Sequence, residues 1–199
     1  MEKHNFNTQL TTLHIKDMVS NSCIRLVKDA LYRTGFIEVK RIELGEAEVY
    51  FDPQIITLNF INDLLKSQGF ELIFENTTKL VEHIKTAVIQ LVFYGGNTNS
   101  LVRNSDYLSE KLGYPYQQLS KMFSEKTGTT LEKYIILIKM EKVKELVSYD
   151  QMTVSEIAFQ MGYSSVQYLS NQFKQVTGLT LSEYKAQRGG RKPLSALLD

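Results

Sequence analysis

Residues Val154–Lys185 read VSEIAFQMGYSSVQYLSNQFKQVTGLTLSEYK, and they repeat an earlier stretch of the same chain. Ile157–Tyr163 aligns with Leu108–Tyr114 at an offset of 49 residues. Beyond that block, nine residues of Gln117–Tyr134 are identical to the residues that lie 50 positions later. A repeat of this length and order indicates a structural unit that occurs twice in the chain.

Each unit predicts a short helix, a turn centred on glycine, and a longer helix that ends at Thr-Gly. This order is typical of a helix-turn-helix, whose second helix enters the major groove of DNA. Two helical hairpins that bind nothing would have the same order of elements. The composition of the longer helices therefore has to distinguish a DNA-binding unit from such hairpins. Their predicted outward faces carry Gln117, Ser120, Lys121 and Ser124 in the first unit, and Gln167, Ser170, Asn171 and Lys174 in the second. Amides suit adenine edges and lysine suits guanine, which favours DNA.

Two further features favour a duplicated DNA-binding unit. A helix predicted from about Leu131 to Ser148 joins the units and would be about 27 Å long, while successive major-groove faces lie about 34 Å apart. Glu125 is the only acidic residue between Tyr114 and Gly128, and none lies between Gly162 and Gly178. Because phosphates repel carboxylates, this distribution suits helices that approach a DNA backbone.

Residues from about Leu80 to Arg188 resemble the AraC/XylS family of bacterial transcription regulators, most specifically over Val154–Lys185. The chain departs from the family at Leu181, where proline usually follows the threonine, and we expect a small loss of rigidity there. The resemblance implies binding to double-stranded promoter DNA and contact with the transcription machinery. It also implies base contacts from outward positions early in each longer helix, here Gln117, Ser120, Lys121, Val166, Gln167, Ser170 and Asn171.

The first part of the chain has a mixed periodicity that predicts the order β-α-β-β-α-β. Leu13 and Ile15 alternate with polar residues, Asn21 or Ser22 can cap the first helix, and Phe70, Leu72 and Phe74 predict the last strand. Two helices on one face of a four-stranded antiparallel sheet form the ferredoxin-like arrangement. With the helical second part, the predicted class is α+β.

The charges divide between the two parts, although the whole chain has a net charge of only +1. Residues 1–78 have a net charge of −3, and the remainder has +4. We therefore predict a ferredoxin-like domain over 1–78, a DNA-binding domain with two helix-turn-helix units over 79–188, and a flexible tail over 189–199. A net charge near zero for the whole chain therefore does not exclude binding to nucleic acid.

The segment DMVSNSC (Asp17–Cys23) resembles the metal loop of heavy-metal-associated domains, which share the βαββαβ order. In that family, Met-x-Cys-x-x-Cys binds a soft ion such as Cu(I). Met18 and Cys23 match as candidate ligands, but Ser20 stands at the position of the first cysteine. Three hypotheses follow: a fold that has lost its metal, a homodimer joined through Cys23 by a shared ion or a disulfide, or a small-molecule pocket. His4, His14 and His83 form no spaced ligand set and are interpreted as surface or packing residues.

The sequence therefore predicts a cytoplasmic, sequence-specific DNA-binding transcription regulator whose first domain senses a signal or forms oligomers. The alternative is a metal carrier or metal-responsive buffer protein that uses Cys23, with the helical part as a docking module. Copper or a similar soft metal is the only candidate cofactor. No catalytic set or phosphate-binding glycine motif is present in the sequence, and no apolar run is long enough to span a membrane.

Overall fold

A computed structural model of the protein describes residues 8–95, 104–187 and 190–197. The chain divides into two compact units, Met1–Thr86 and Ala87–Asp199. The change from one unit to the next falls inside a single helix, Asn76–Ile89, which also contains the boundary predicted after residue 78. Among the described residues, no helix is both long and apolar enough to cross a membrane.

The first unit has the predicted ferredoxin-like order, followed by one more helix. Its elements are β1 (Gln9–Lys16), α1 (Asn21–Arg33), β2 (Glu38–Glu43), β3 (Glu46–Phe51), α2 (Leu58–Lys66), β4 (Glu71–Leu72) and α3 (Asn76–Ile89). The strands pair antiparallel in the order β2-β3-β1-β4. The predicted α+β class and the ferredoxin-like topology are confirmed.

Alternation along β1 separates the two faces of the sheet. Leu13 and Ile15 are buried in a core that α1 completes with Val27 and Leu31, and to which α2 contributes Ile61 and Leu65. Because successive strand residues point to opposite faces, His14 lies on the other face. There it contacts α3 through His83. The face without α1 and α2 is therefore covered in part by α3.

Two local predictions for this unit were wrong. Ser20, and not Asn21 or Ser22, caps α1, because its extended backbone lets the hydroxyl accept from the amide of Cys23 at 3.4 Å. Strand β4 is only two residues long, and Phe74 is 58% exposed, because the chain leaves the sheet to begin α3. The serine that stands in the metal-loop motif thus has a capping role.

The second unit reproduces the repeat in three dimensions. Its helices are α4 (Asn104–Leu112), α5 (Tyr116–Thr127), α6 (Leu131–Tyr149), α7 (Val154–Gln160), α8 (Val166–Thr177) and α9 (Leu181–Ala186). Both α5 and α8 have 12 residues, and they begin 50 positions apart. The predicted connecting helix corresponds to α6. A π-helical turn, Gln90–Tyr94, precedes these helices, and a 3-10 turn, Leu194–Ala196, follows them.

Helix α9 begins normally without the proline that the related family usually has. Thr180 caps it by accepting from the amide of Glu183 at 3.2 Å, while the Glu183 carboxylate accepts from the amide of Thr180 at 2.7 Å. Leu181, the first residue of α9, is buried. The capping box and this apolar contact support the start of the helix.

Replacing Gly45 by alanine is expected to destabilise the first unit more than replacing Gly35. Both have positive φ, +82° and +71°, so each alanine costs about 1–2 kcal/mol in the left-handed region. A Cβ at Gly45 would also lie 3.2 Å from Oγ1 of Thr86 in α3, whereas nothing lies within 4 Å of one at Gly35. Urea denaturation followed by circular dichroism compares the two variants. Equal losses would contradict the close approach of α3 to the β2–β3 turn.

Candidate nucleic-acid interface

Each of the two longer helices is held by its apolar side. In α5, Leu119 and Phe123 are fully buried, and the ring of Phe123 lies 5.2 Å from that of Tyr134 in α6. In α8, Phe173 is equally buried and lies 5.5 Å from Tyr184 of α9. These contacts leave the opposite side of each helix in solvent. We call α5 and α8 the recognition helices.

The predicted base-contacting residues lie on these outward sides. The exposed ones are Gln117, Lys121, Val166, Gln167, Asn171 and Lys174, and the half-buried ones are Ser120 and Ser170. Ser124 instead donates its hydroxyl hydrogen to the carbonyl of Ser120 at 2.8 Å, so that donor is used within α5. The geometry is therefore compatible with base contacts from all eight predicted residues.

The second recognition helix presents a pair of coupled amides. Gln167 Nε2 donates to Asn171 Oδ1 at 2.9 Å. This bond leaves the Gln167 carbonyl oxygen to accept and the Asn171 amide nitrogen to donate. An adenine edge requires that combination, since its N6 donates and its N7 accepts. The two outward groups therefore have the acceptor and donor types that an adenine edge can pair with.

The first recognition helix differs in chemistry at the equivalent position. Lys121 corresponds to Asn171 and lies 3.9 Å from the Glu125 carboxylate, with the two side chains 75% and 65% exposed. An ion pair this exposed contributes little free energy, so Lys121 can exchange Glu125 for a guanine edge or a phosphate. The two recognition helices therefore differ in side-chain chemistry at this position.

Exposed aromatic residues lie on or beside the second recognition helix. Tyr168 is 54% exposed beside Gln167, and Phe159 of α7 is 68% exposed. Tyr168 falls outside the spacing that joins Leu169 to Phe173, and that offset is the signal that could have found it. Such residues can contact sugar or thymine methyl groups.

Lys139 of α6 connects that helix to the turn between α7 and α8. Its Nζ donates to the carbonyl of Met161 at 3.2 Å and lies 5.6 Å from the centre of the Tyr163 ring. The Tyr163 hydroxyl in turn donates to Oε1 of Gln172 in α8. Burial lowers the pKa of Lys139 and raises that of Tyr163. This chain of contacts orients the second recognition helix relative to α6.

Described residues of the segment 189–199 contact α6. Arg191 Nη1 lies 2.8 Å from the Glu145 carboxylate, and the amide of Lys192 donates to Glu141 Oε2 at 3.2 Å. Glu141 is buried and also pairs with Lys144 at 2.6 Å. These contacts compensate the charge of the Glu141 carboxylate, which would otherwise be buried without a partner.

The two candidate metal ligands predicted from the loop, Met18 and Cys23, differ in burial. Met18 is only 2% exposed and belongs to the core, and Cys23 Sγ lies 3.3 Å from the Ser20 hydroxyl. Among the described residues, Cys23 belongs to no group of three or more His, Cys, Asp or Glu side chains that could share an ion. Nothing in the described part of the chain favours the metal-carrier hypothesis built on Cys23.

Two of the three histidines, which form no spaced ligand set in the sequence, come together in the fold. His14 Nδ1 lies 3.2 Å from His83 Nε2, and the Glu46 carboxylate lies beside both. The three residues are far apart in sequence, so no spacing motif could reveal them. His4 lies outside the described residues.

The fold and the exposed faces of α5 and α8 define the second unit as a tandem helix-turn-helix domain. Residues 108–187 match the family model described as a helix-turn-helix domain. The chain carries a helix-turn-helix domain of the AraC type, a class of DNA-binding domain and not of enzyme.

Relatives of known name match only part of this chain. The xylose operon regulatory protein of Escherichia coli K12 is 31% identical over 99 residues, which are 50% of this chain and 25% of that protein. The C-terminal domain of AraT, a response regulator from Geobacillus stearothermophilus, has 21% identity and a TM-score of 0.48 over 59% of this chain and 93% of that domain. A Bacillus anthracis structure described as copper-ion-binding has 21% identity and a TM-score of 0.32, over 34% of this chain and 99% of that one.

Proposed function

We propose that the protein is a sequence-specific, DNA-binding transcription regulator that acts on promoter DNA in the cytoplasm. The observation that carries this proposal is the pair of 12-residue recognition helices with their outward amides, hydroxyls and lysines. In this proposal, base contacts come from Gln117, Ser120, Lys121, Val166, Gln167, Ser170, Asn171 and Lys174. In the same proposal, the first unit senses a signal or forms oligomers. The resemblance to the AraC/XylS family supports contact with the transcription machinery.

The length of α6 supports binding of the two recognition helices to successive major-groove faces. Its 19 residues make a helix of about 28 Å, against about 34 Å for one turn of B-DNA. Side chains of the recognition helices extend beyond the backbone and can account for the difference. A site for this protein is therefore expected to contain two half-sites about one helical turn apart.

The proposal is tested by measuring binding of the full chain to a library of genomic fragments in electrophoretic shift and sequencing experiments. The expected result is enrichment of one motif with two unequal halves, because α5 presents Lys121 where α8 presents Asn171. Equal binding to all fragments would refute sequence specificity. A motif with only one half would refute the use of both recognition helices.

Binding is expected to weaken steeply with salt. If about four phosphates are neutralised, affinity falls by about 100-fold between 50 and 200 mM salt, because bound phosphates release counterions. Fluorescence anisotropy with a labelled duplex that contains the enriched motif measures the slope. An affinity independent of salt would contradict a phosphate-contacting interface.

Oligomeric state forms a separate part of the proposal. The first unit exposes several large apolar side chains, including Tyr32, Phe36 and Phe60, and exposed apolar surface favours association. We therefore expect a homodimer in light scattering of the full chain at micromolar concentration. A monomer at every concentration tested would assign the first unit to sensing alone.

A further inference from the structure

We propose that His14, Glu46 and His83 bind one divalent first-row transition ion such as Zn²⁺, Co²⁺ or Ni²⁺. Their ligand atoms all lie within 4.8 Å of one another. This site is distinct from the Cys23 loop and uses none of its side chains. It lies wholly within the first unit, and it does not rest on the proposed DNA binding.

Three elements place these side chains together. His14 of β1 and Glu46 of β3 are directly opposite in the antiparallel register, so their side chains emerge on the same face about 5 Å apart. His83 approaches that face from α3. The carbonyl of Gly45 accepts from the amide of Ile15 at 2.9 Å and fixes the β2–β3 turn beside the site.

The distances match those needed around a small ion. His14 Nδ1 lies 3.2 Å from His83 Nε2 and 3.6 Å from Glu46 Oε2, and His83 Nε2 lies 3.9 Å from the same oxygen. Ligands at about 2.1 Å from a tetrahedral zinc ion are about 3.4 Å from one another. Shifts of about half an ångström, within reach of side-chain rotation, would therefore close the three atoms around one ion.

The donor set also selects the class of ion. Two imidazoles and a carboxylate suit zinc, cobalt and nickel, whereas Cu(I) prefers sulfur ligands. The Glu46 carboxylate neutralises one of the two charges of the ion, and three protein ligands leave a fourth position for water. Burial, with the charges of Lys79 and His83, lowers the pKa of His14 to about 4.

Lys79 carries a positive charge that opposes cation binding at this site. It is one helical turn before His83 on α3, and its charge acts on His14. Removal of this charge should therefore increase metal affinity without adding a ligand. This expectation separates a metal site from a simple hydrogen bond between two histidines, for which Lys79 has no such role.

The experiment uses the full chain, without an affinity tag and fully reduced. Co²⁺ titration is followed by its visible d–d absorption, and Zn²⁺ titration by competition with a chelating dye. The expected stoichiometry is one ion per chain. Changing His83→Gln or Glu46→Gln should lower affinity by about 100-fold or more, since even outer-shell changes cost 10–100-fold. Lys79→Gln should raise affinity about threefold to tenfold.

Two variants act as matched controls. Glu48→Gln changes a neighbouring carboxylate of β3 that pairs with Lys40 at 3.3 Å, and Cys23→Ser removes the thiol. Neither side chain is a proposed ligand, so Cys23→Ser should leave affinity unchanged and Glu48→Gln should lower it by less than about threefold; circular dichroism should show that every variant is folded. The proposal is overturned if the protein binds neither ion, or if Cys23→Ser abolishes binding while His83→Gln does not. An unchanged or lower affinity of Lys79→Gln would likewise contradict it.

Discussion

The double variant Lys121→Ala, Gln167→Ala is expected to lose its preference between specific and random DNA while it keeps its fold. One side chain comes from each recognition helix, and both are exposed, so their removal leaves no cavity. A good contact to a base contributes about 1–3 kcal/mol of discrimination. Loss of two such contacts should reduce the specificity ratio by roughly 30-fold to more than 10⁴-fold. Anisotropy titrations with the enriched motif and with a scrambled duplex measure that ratio.

A chemically matched control is available on the same unit. The double variant Lys133→Ala, Gln151→Ala also removes one lysine and one glutamine, both exposed and both outside α5 and α8. It should retain the specificity ratio. The single variant Lys121→Ala tests that residue alone: if Lys121 contacts a phosphate and not a base, affinity falls equally for both duplexes and the salt slope decreases. That outcome would contradict the assignment of Lys121 as a base contact.

Phe173→Ala is expected to destabilise the second unit by about 3–5 kcal/mol, the usual cost of removing a buried phenyl ring. Phe173 has no exposed surface, and its ring packs edge-on against Tyr184. A loss of this size is a large part of the 5–15 kcal/mol that typically stabilises a protein. Urea denaturation followed by helical circular dichroism measures it. DNA binding should decrease with the folded fraction.

Phe159→Ala provides the matched control, because it deletes the same side chain from an exposed position on α7. Its effect on the free energy of unfolding should be within about 0.5 kcal/mol. A comparable loss for both variants would show that the apolar anchoring of α8 is not what holds the second recognition helix. An effect of Phe159→Ala on DNA affinity alone would instead assign the exposed ring to the interface.

The repeat made the second unit predictable. Helix-turn-helix units depend on local signals, such as apolar residues at helical spacing, glycines at turns and threonine caps, and these signals occur twice at a nearly constant offset. The same local alternation predicted the βαββαβ order of the first unit. Signals that depend on residue type at one position were less reliable. Ser20, and not one of its neighbours, caps α1, and Phe74 lies outside β4. In each case the backbone conformation at the junction between two elements decides the outcome.

The amino-acid sequence by itself determined the α+β class, the duplicated helix-turn-helix and the outward polar positions of α5 and α8. These features follow from periodicity within one element, and periodicity is visible in a single chain. Only the tertiary structure brought His14, Glu46 and His83 together and connected Lys139 to the turn after α7. Contacts between distant elements depend on register and packing, which have no fixed spacing in sequence. The sequence therefore predicts the features that depend on short-range interactions along the chain, whereas the tertiary structure decides those that depend on contacts between distant residues.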